Sequence, residues 1–183
     1  MEIFFESIIL RPWSIDDANN LAEIANNKNI ADKLQDLFPF PYSIKDARKW
    51  IRTILPADPA RNFAIVSDGT IVGNIGILTK DDIHRKNVEI GYFLSEKYWG
   101  WGIAPKAVKA ITSYAFSNFD IVRVYAETFA DNIRSRRTLE KAGFTLEATL
   151  KSYIIKNGIM KDSCIYSVLK DDFKYFLTTE NTE

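Results

Sequence analysis

The sequence has one cysteine, Cys164, and one histidine, His84, in 183 residues. A lone cysteine forms no intrachain disulfide and builds no cysteine metal cluster; no metal is expected. A Ser-His-Asp or Cys-His centre within the chain would have to use His84. That histidine stands among Lys80, Asp81, Asp82, Arg85 and Lys86, the composition of a solvated loop, and is expected to face water. Net charge is lacking too: 24 Lys and Arg stand against 24 Asp and Glu. No overall field gathers a polyanion, and a generic nucleic-acid binder should show a basic excess. No apolar run approaches the ~20 residues that span a bilayer. Met1 to Leu10 carries Glu2 and Glu6 and lacks a basic segment ahead of a long apolar one, so it does not read as a signal peptide. The expectations are no nucleic acid, no membrane and a cytoplasmic location.

What is present is ordinary: 46% apolar and 26% charged residues, as in a soluble globular protein. One domain over residues 1–176 is expected, with 177–183 as a polar, disordered tail. Ser7 to Trp13 reads as a strand stopped by Pro12. Ser14 with Asp17, and later Ser43 with Asp46, are capping-box pairs. Behind them Ala18, Leu21, Ala22 and Ala25, then Ala47, Trp50, Ile51 and Ile54, recur at helical spacing. Asn26 to Asp36 is polar and reads as a short, mobile helix, broken by Phe38-Pro39-Phe40-Pro41. From Arg61 the period becomes two. Residues 62–66 and 70–78 flank the hairpin signal Ser67-Asp68-Gly69, and Asn87 to Leu94 is a largely apolar strand. A helix with Ala104, Ala107, Val108, Ile111 and Ala115 on one face follows. Then come a strand over 121–128, a helix over 132–142 ended by Gly143, and strands 144–155 and 159–169 around Asn157-Gly158. The order is α+β, with about seven strands in a mostly antiparallel sheet and a single strand-helix-strand crossover. A doubly wound dinucleotide fold would repeat that crossover.

The most informative segment is Leu94 to Val108, where an apolar strand meets a turn holding Gly100 and Gly102 and opens into an amphipathic helix. Glycines let a ligand approach the main chain, and a helix N-terminus offers unpaired N–H groups and partial positive charge. Together they suit a phosphate or diphosphate. A tight turn without a ligand has the same Gly-x-Gly. Two nucleotide patterns fail: Pro105 occupies the third glycine of G-x-G-x-x-G, and no G-x-x-x-x-G-K-[ST] exists.

Tyr98-Trp99-Gly100-Trp101-Gly102-Ile103-Ala104 resembles the pyrophosphate loop of the Gcn5-related N-acetyltransferases (GNAT), written R/Q-x-x-G-x-G/A, with Trp99 where Arg or Gln is usual. Asn132-Ile133-Arg134-Ser135 and Leu139-Glu140-Lys141-Ala142-Gly143-Phe144 resemble the family's N-x-x-S and L-E-K-x-G-F element. Val88 to Tyr92 resembles the strand that runs into the loop. Phe144 to Asp162 resembles the closing hairpin of the Rim-type (RimJ/RimL-like) subgroup, which acetylates protein N-termini and other amines. The resemblance runs from Ile8 to Leu169. It implies a single-domain GNAT fold, a sheet flanked by helices on both faces, and a splay between the fourth and fifth strands, residues 87–94 and 121–128. It implies an acetyl-CoA-dependent N-acetyltransferase acting on a primary amine, as a monomer or homodimer. By carry-over Trp99, Gly100, Trp101, Gly102, Ile103 and Ala104 form the diphosphate turn. Phe93 and Leu94 would pair with pantetheine, and Asn132 and Ser135 would contact the cofactor near its sulfur.

The chemistry adds its own demands. An amine must lose a proton before attacking a thioester, and a carboxylate is the natural acceptor. Glu89, the one charge in 88–94, is the candidate base; the bland reading is a solvated residue on the sheet face. The developing oxyanion needs a main-chain donor, expected around Phe93. The tyrosine that serves many relatives as acid is here Leu139, so the role falls to Ser135, or else Ser135 is a helix-surface hydroxyl. Tyr153 is a further candidate. Lys106 either faces the phosphates or water. Asp162 and Glu127 are either part of an acidic acceptor site or surface charges. Trp13, Trp50, Phe38 and Phe40 are core or cleft wall. The rival reading from another class is a catalytically weak acyl-CoA-binding sensor.

Overall fold

The computed structural model describes residues 2–55 and 57–174; the tail expected over 177–183 lies outside them. Among the described residues eight strands form one open sheet: β1 (Ile3–Phe5), β2 (Ile8–Pro12), β3 (Asn62–Ser67), β4 (Thr70–Thr79), β5 (Asn87–Leu94), β6 (Arg123–Phe129), β7 (Thr145–Lys156) and β8 (Ile159–Leu169). Their order across the sheet is β1-β2-β3-β4-β5-β6-β8-β7. Every neighbouring pair is antiparallel except β5 and β6. The extra strand relative to the sequence expectation is β1. At three residues it is too short to show a period, and it is made by the turn at Glu6, a non-glycine residue at φ 49°.

Five α-helices among the described residues cover the two faces: α1 (Ala18–Ala25), α2 (Lys28–Ala31), α3 (Ile44–Ile54), α4 (Ile103–Asn118) and α5 (Ile133–Lys141). Both capping boxes form. Ser14 with Asp17 starts the turn that leads into α1, and Ser43 with Asp46 starts α3. Both hairpin signals close as left-handed pairs, Asp68-Gly69 at φ 49° and 73° and Asn157-Gly158 at φ 50° and 79°, the geometry that matches strand twist.

Strand alternation divides the core. Val88, Ile90 and Leu94 of β5 face one side, where they pack with Val108, Ile111 and Ala115 of α4 and with Leu139 of α5. The other face of the sheet holds Trp13, Ala64, Leu21 and Ile51, with Phe93 against them, under α1 and α3. Arg11 and Asp17 clamp this face through paired bonds of 2.7 and 2.8 Å. At Gly73 a β-carbon would stand 2.3 Å from the Phe93 carbonyl oxygen and 2.6 Å from Leu94 Cδ2. Only glycine lets β4 lie this close to the end of β5.

Candidate active site

The parallel pairing of β5 with β6 is short. It runs from Asn87↔Arg123 to Glu89↔Tyr125 and stops, although both strands continue. The main-chain polar groups of a strand alternate between its two sides. On one side, Ser95 N–H donates to the Val72 carbonyl 2.8 Å away. On the other, the Lys86 carbonyl accepts from Val122 N–H at 3.0 Å. The odd residues of β5 therefore bond β4, and the even residues face β6. Past Ile90 N–H, the last β5 donor to that ladder, the partner has gone. The Ile90 carbonyl and the peptide groups of Tyr92 and Leu94 face the opening, while Phe93 N–H is turned to β4.

The end of β5 leads into the glycine turn. Gly100 and Gly102 sit at φ 87° and 77°, with open space where β-carbons would be. Gly102 starts α4 without a side-chain cap. Among the described residues, the N–H groups of Trp101, Gly102, Ile103 and Ala104 make no hydrogen bond to a main-chain oxygen. The turn is braced from within. Trp99 Nε1 donates to the Leu94 carbonyl at 2.9 Å, and the Arg134 guanidinium lies 4.0 Å above the Trp99 ring. Trp101 points its indole to solvent and packs edge-on against Tyr98 at 5.5 Å. Pro105 falls in the first turn of α4, where its missing N–H costs nothing. Lys106 turns back to Glu6 at 2.9 Å and to Ser7 at 3.0 Å, joining the β1–β2 turn rather than the glycine turn.

The opening in the sheet belongs to one cleft of about 1700 Å³ that crosses to the α1–α3 face. Glu89 lies on that face. Its Oε2 takes Lys80 Nζ at 2.7 Å and Tyr125 OH at 3.2 Å, and among the described residues nothing bonds its Oε1. Burial alone would lower the Lys80 ammonium, but its hydrogen bonds to Glu89 and Tyr125 hold it above the ordinary lysine value. Glu127, also lining the cleft, accepts from Ser163 Oγ at 2.7 Å. Phe38 and Trp50 form the wall opposite, with Phe38 edge-on to Phe93 at 5.8 Å.

Ser135 sits in the first turn of α5, whose N-cap is Asn132; the Asn132 side chain accepts from Ser135 N–H at 3.3 Å. Ser135 Oγ lies 2.9 Å from Tyr92 OH, which also donates to the Ser135 carbonyl at 3.2 Å. Burial pushes the Tyr92 phenol up to about 12, so it keeps its proton at neutral pH. The two hydroxyls form a chain from β5 to α5 at the cleft.

Across the mouth runs a strap, residues 26–42, tied down by polar contacts. Asn27 and Asn29 donate to Glu96 at 2.8 and 3.0 Å. Lys33 pairs with Asp131, which also holds Lys161. Asp36 pairs with the buried Lys156 at 3.0 Å and accepts from Asn157 N–H.

The family profile described as Acetyltransferase (GNAT) domain matches residues 7–145. This chain belongs to the GNAT family. It is 29% identical over 177 residues to YdaF, a putative ribosomal N-acetyltransferase of Bacillus subtilis (strain 168), covering 92% of this chain and 94% of that one. YoaA, an uncharacterized N-acetyltransferase of the same strain, is 36% identical over 100 residues, 55% of this chain and 56% of YoaA. Among solved structures, RimL, the ribosomal L7/L12 alpha-N-protein acetyltransferase in complex with coenzyme A, matches with a TM-score of 0.83. The identity is 23%, covering 94% of this chain and 99% of that one, and the likeness is one of fold. The chain is an acyltransferase by family, and no helix among the described residues is long and apolar enough to cross a membrane.

Within this GNAT domain the residues singled out in the sequence distribute unevenly. Glu89, Phe93, Leu94, Trp99, Ala104, Asn132 and Ser135 all line the one cleft. Gly100 to Ile103 form the turn at its end. Leu139 is fully buried, so no hydroxyl replaces the family's tyrosine at that position. Tyr153 is exposed and stands outside the cleft lining. Asp162 is occupied with Lys151 and the Ser152 N–H. Trp13 is core, its Nε1 bonded to Asn74 Oδ1, and Phe40 is half exposed. His84 is exposed, as its charged neighbours imply. Tyr92 was not singled out. In sequence it is one apolar position of a strand, and only the fold sets its hydroxyl on Ser135.

Proposed function

We propose that this GNAT domain is an acetyl-CoA-dependent N-acetyltransferase that passes acetyl to a primary amine, on a protein N-terminus or a small molecule, by direct attack on the thioester. The observation that carries the reading is the conjunction of two openings. An interrupted β5–β6 ladder exposes peptide groups of Tyr92 and Leu94, and it ends at a turn with four undischarged N–H groups. A pantetheine arm carries amides that can pair with an exposed strand edge, and a diphosphate suits the turn. Because Trp99 already occupies the Leu94 carbonyl, the free partners on β5 are the Tyr92 peptide groups and the Leu94 N–H.

In this mechanism Glu89 takes the proton from the amine, directly or through water, at its open Oε1. The Tyr92 N–H, farther from the turn, faces the place where negative charge gathers on the thioester oxygen, a donor role worth ~3 kcal/mol in well-formed sites, and the Tyr92 carbonyl and Leu94 N–H remain for the pantetheine amides. As the nitrogen–carbon bond forms and the carbon–sulfur bond breaks, Ser135 gives its proton to the leaving thiolate while taking one from Tyr92; the proton held by Glu89 is released to solvent, and Tyr92 takes one back from solvent, which resets both groups. Asn132 holds the first turn of α5 so that Ser135 faces the cleft. Lys80 orients Glu89, and Phe38 and Trp50 wall the acceptor side. The cytoplasm, where acetyl-CoA and nascent proteins meet, is the compartment this reading implies.

Buried Leu139 favours one other reading, an acyl-CoA-binding sensor with little turnover. A free-thiol release assay over a panel of N-terminal peptides, polyamines and aminoglycosides separates the two. Turnover on any amine supports the enzyme; calorimetric binding of acetyl-CoA without turnover on the panel supports the sensor.

A further inference from the structure

The turn that meets the diphosphate carries no basic side chain of its own that is free to do so. Lys97 is drawn to Glu23, and Lys106 to Glu6. Trp99 stands where the family pattern has Arg or Gln. Of the cations that line the cleft, Lys28, Lys33, Lys156 and Lys161 are each in an ion pair. Lys49 lies on α3 beside Asp46, on the acceptor wall. Arg134 is left. Among the described residues it has no carboxylate at ion-pair distance, the nearest charge that acts on it being Glu96, and its guanidinium lies on the indole face of Trp99, 4.0 Å away.

Stacking uses the face of a guanidinium and leaves its N–H groups, which lie in the plane, pointing outward. Those in-plane donors are the ones that meet phosphate oxygens in paired bonds. The platform is itself fixed, because Trp99 Nε1 is anchored on the Leu94 carbonyl. One aromatic residue thus ties the end of β5, the glycine turn and the start of α5 together.

We propose that Arg134, carried on Trp99, is the positioning cation for the coenzyme diphosphate and supplies from α5 the charge that the turn lacks. This rests on the reading that the turn binds coenzyme A, and it adds which side chain sets the affinity. A diphosphate held by main-chain N–H groups alone would depend little on ionic strength, whereas an added ion pair is screened by salt.

The test is calorimetry with coenzyme A and with dephospho-coenzyme A, which lacks only the 3′-phosphate, at low and high salt. Arg134→Ala is expected to weaken both ligands about tenfold, the scale of one charge-assisted bond, and to flatten the salt dependence. Arg134→Lys should recover part of the loss. Trp99→Leu should weaken binding similarly, with Arg134→Ala adding little on top of it, since both remove the same device. A defect of Arg134→Ala seen with coenzyme A but absent with the dephospho form would overturn the assignment to the diphosphate. Unchanged affinity and salt dependence in Arg134→Ala would overturn the proposal altogether. If the unaltered protein binds neither ligand, the coenzyme reading itself falls, a result distinct from either. Thermal melting of the ligand-free variants within a degree or two of the parent keeps a folding defect from passing as support.

Discussion

Glu89 has two different oxygens. Oε2 is committed to Lys80 and Tyr125, and Oε1 is open toward the cleft. Glu89→Gln keeps the shape and the Tyr125 contact but removes the basic oxygen. Turnover is expected to fall by a factor on the order of 10² or more while the Kd for acetyl-CoA stays put. Steady-state rates beside calorimetry read the two separately, and unchanged turnover would remove Glu89 from the reaction. At Ser135 and Tyr92 the expected effects are coupled. Ser135→Ala and Tyr92→Phe should each slow turnover, and the double variant should be little worse than the single ones, because both interrupt one proton path. The sequence could offer Glu89 and Ser135 because each is a polar residue where the local pattern is apolar or matches a motif. It could not offer Tyr92, whose phenyl body fits the strand pattern while its hydroxyl finds a partner 43 positions away.

At the level of elements, what is local was readable and what depends on pairing was not. Capping boxes, Asp68-Gly69, Asn157-Gly158 and the glycine turn are each settled within a few residues, so their residues name them. Strand β1 is three residues long and owes its place to the neighbour it pairs with. The early end of the β5–β6 ladder has no mark in the alternation of either strand, which goes on unchanged; only the family resemblance implied a splay there. Gly73 is a case where the element depends on one missing atom. Gly73→Ala drives a β-carbon into the Phe93 carbonyl, a backbone atom that cannot swing aside. The expected result is a loss of ~1–3 kcal/mol in chemical denaturation, typical of forcing an extra carbon into a packed site. Coenzyme affinity should fall with it, because the displaced strand is the one that borders the opening.

The strap shows what only the whole molecule decides. Its ties join Asn27 and Asn29 to Glu96, Lys33 to Asp131 and Asp36 to Lys156 and Asn157, over 67 to 121 positions of sequence. Hydrogen bonds from Lys156 and the Asn157 N–H hold the Asp36 carboxyl below its usual range. Lys161 and Lys33 do the same for Asp131, and Asn27 and Asn29 for Glu96. Carboxyls that are more acidic when folded than when free lend stability above the ordinary carboxylate range, and that contribution is lost as pH falls through the lowered values. Limited proteolysis within residues 26–42 should therefore be slow at neutral pH and quicken in acid, before the circular dichroism of the sheet changes. A strap cut no faster in acid would mean that these pairs do not hold it.

Open amides at Tyr92 and Leu94 mean that this protein carries a sheet with a missing rung. An amide that points into a gap exchanges its hydrogen with solvent, although the same residue is locked to β4 through its neighbours on either side. A ligand that lies along the gap closes the ladder and becomes, in effect, a borrowed strand between β5 and β6. Deuterium uptake at those two positions, fast without ligand and slow with coenzyme A, would register the sheet being completed, and melting should then become dependent on coenzyme concentration.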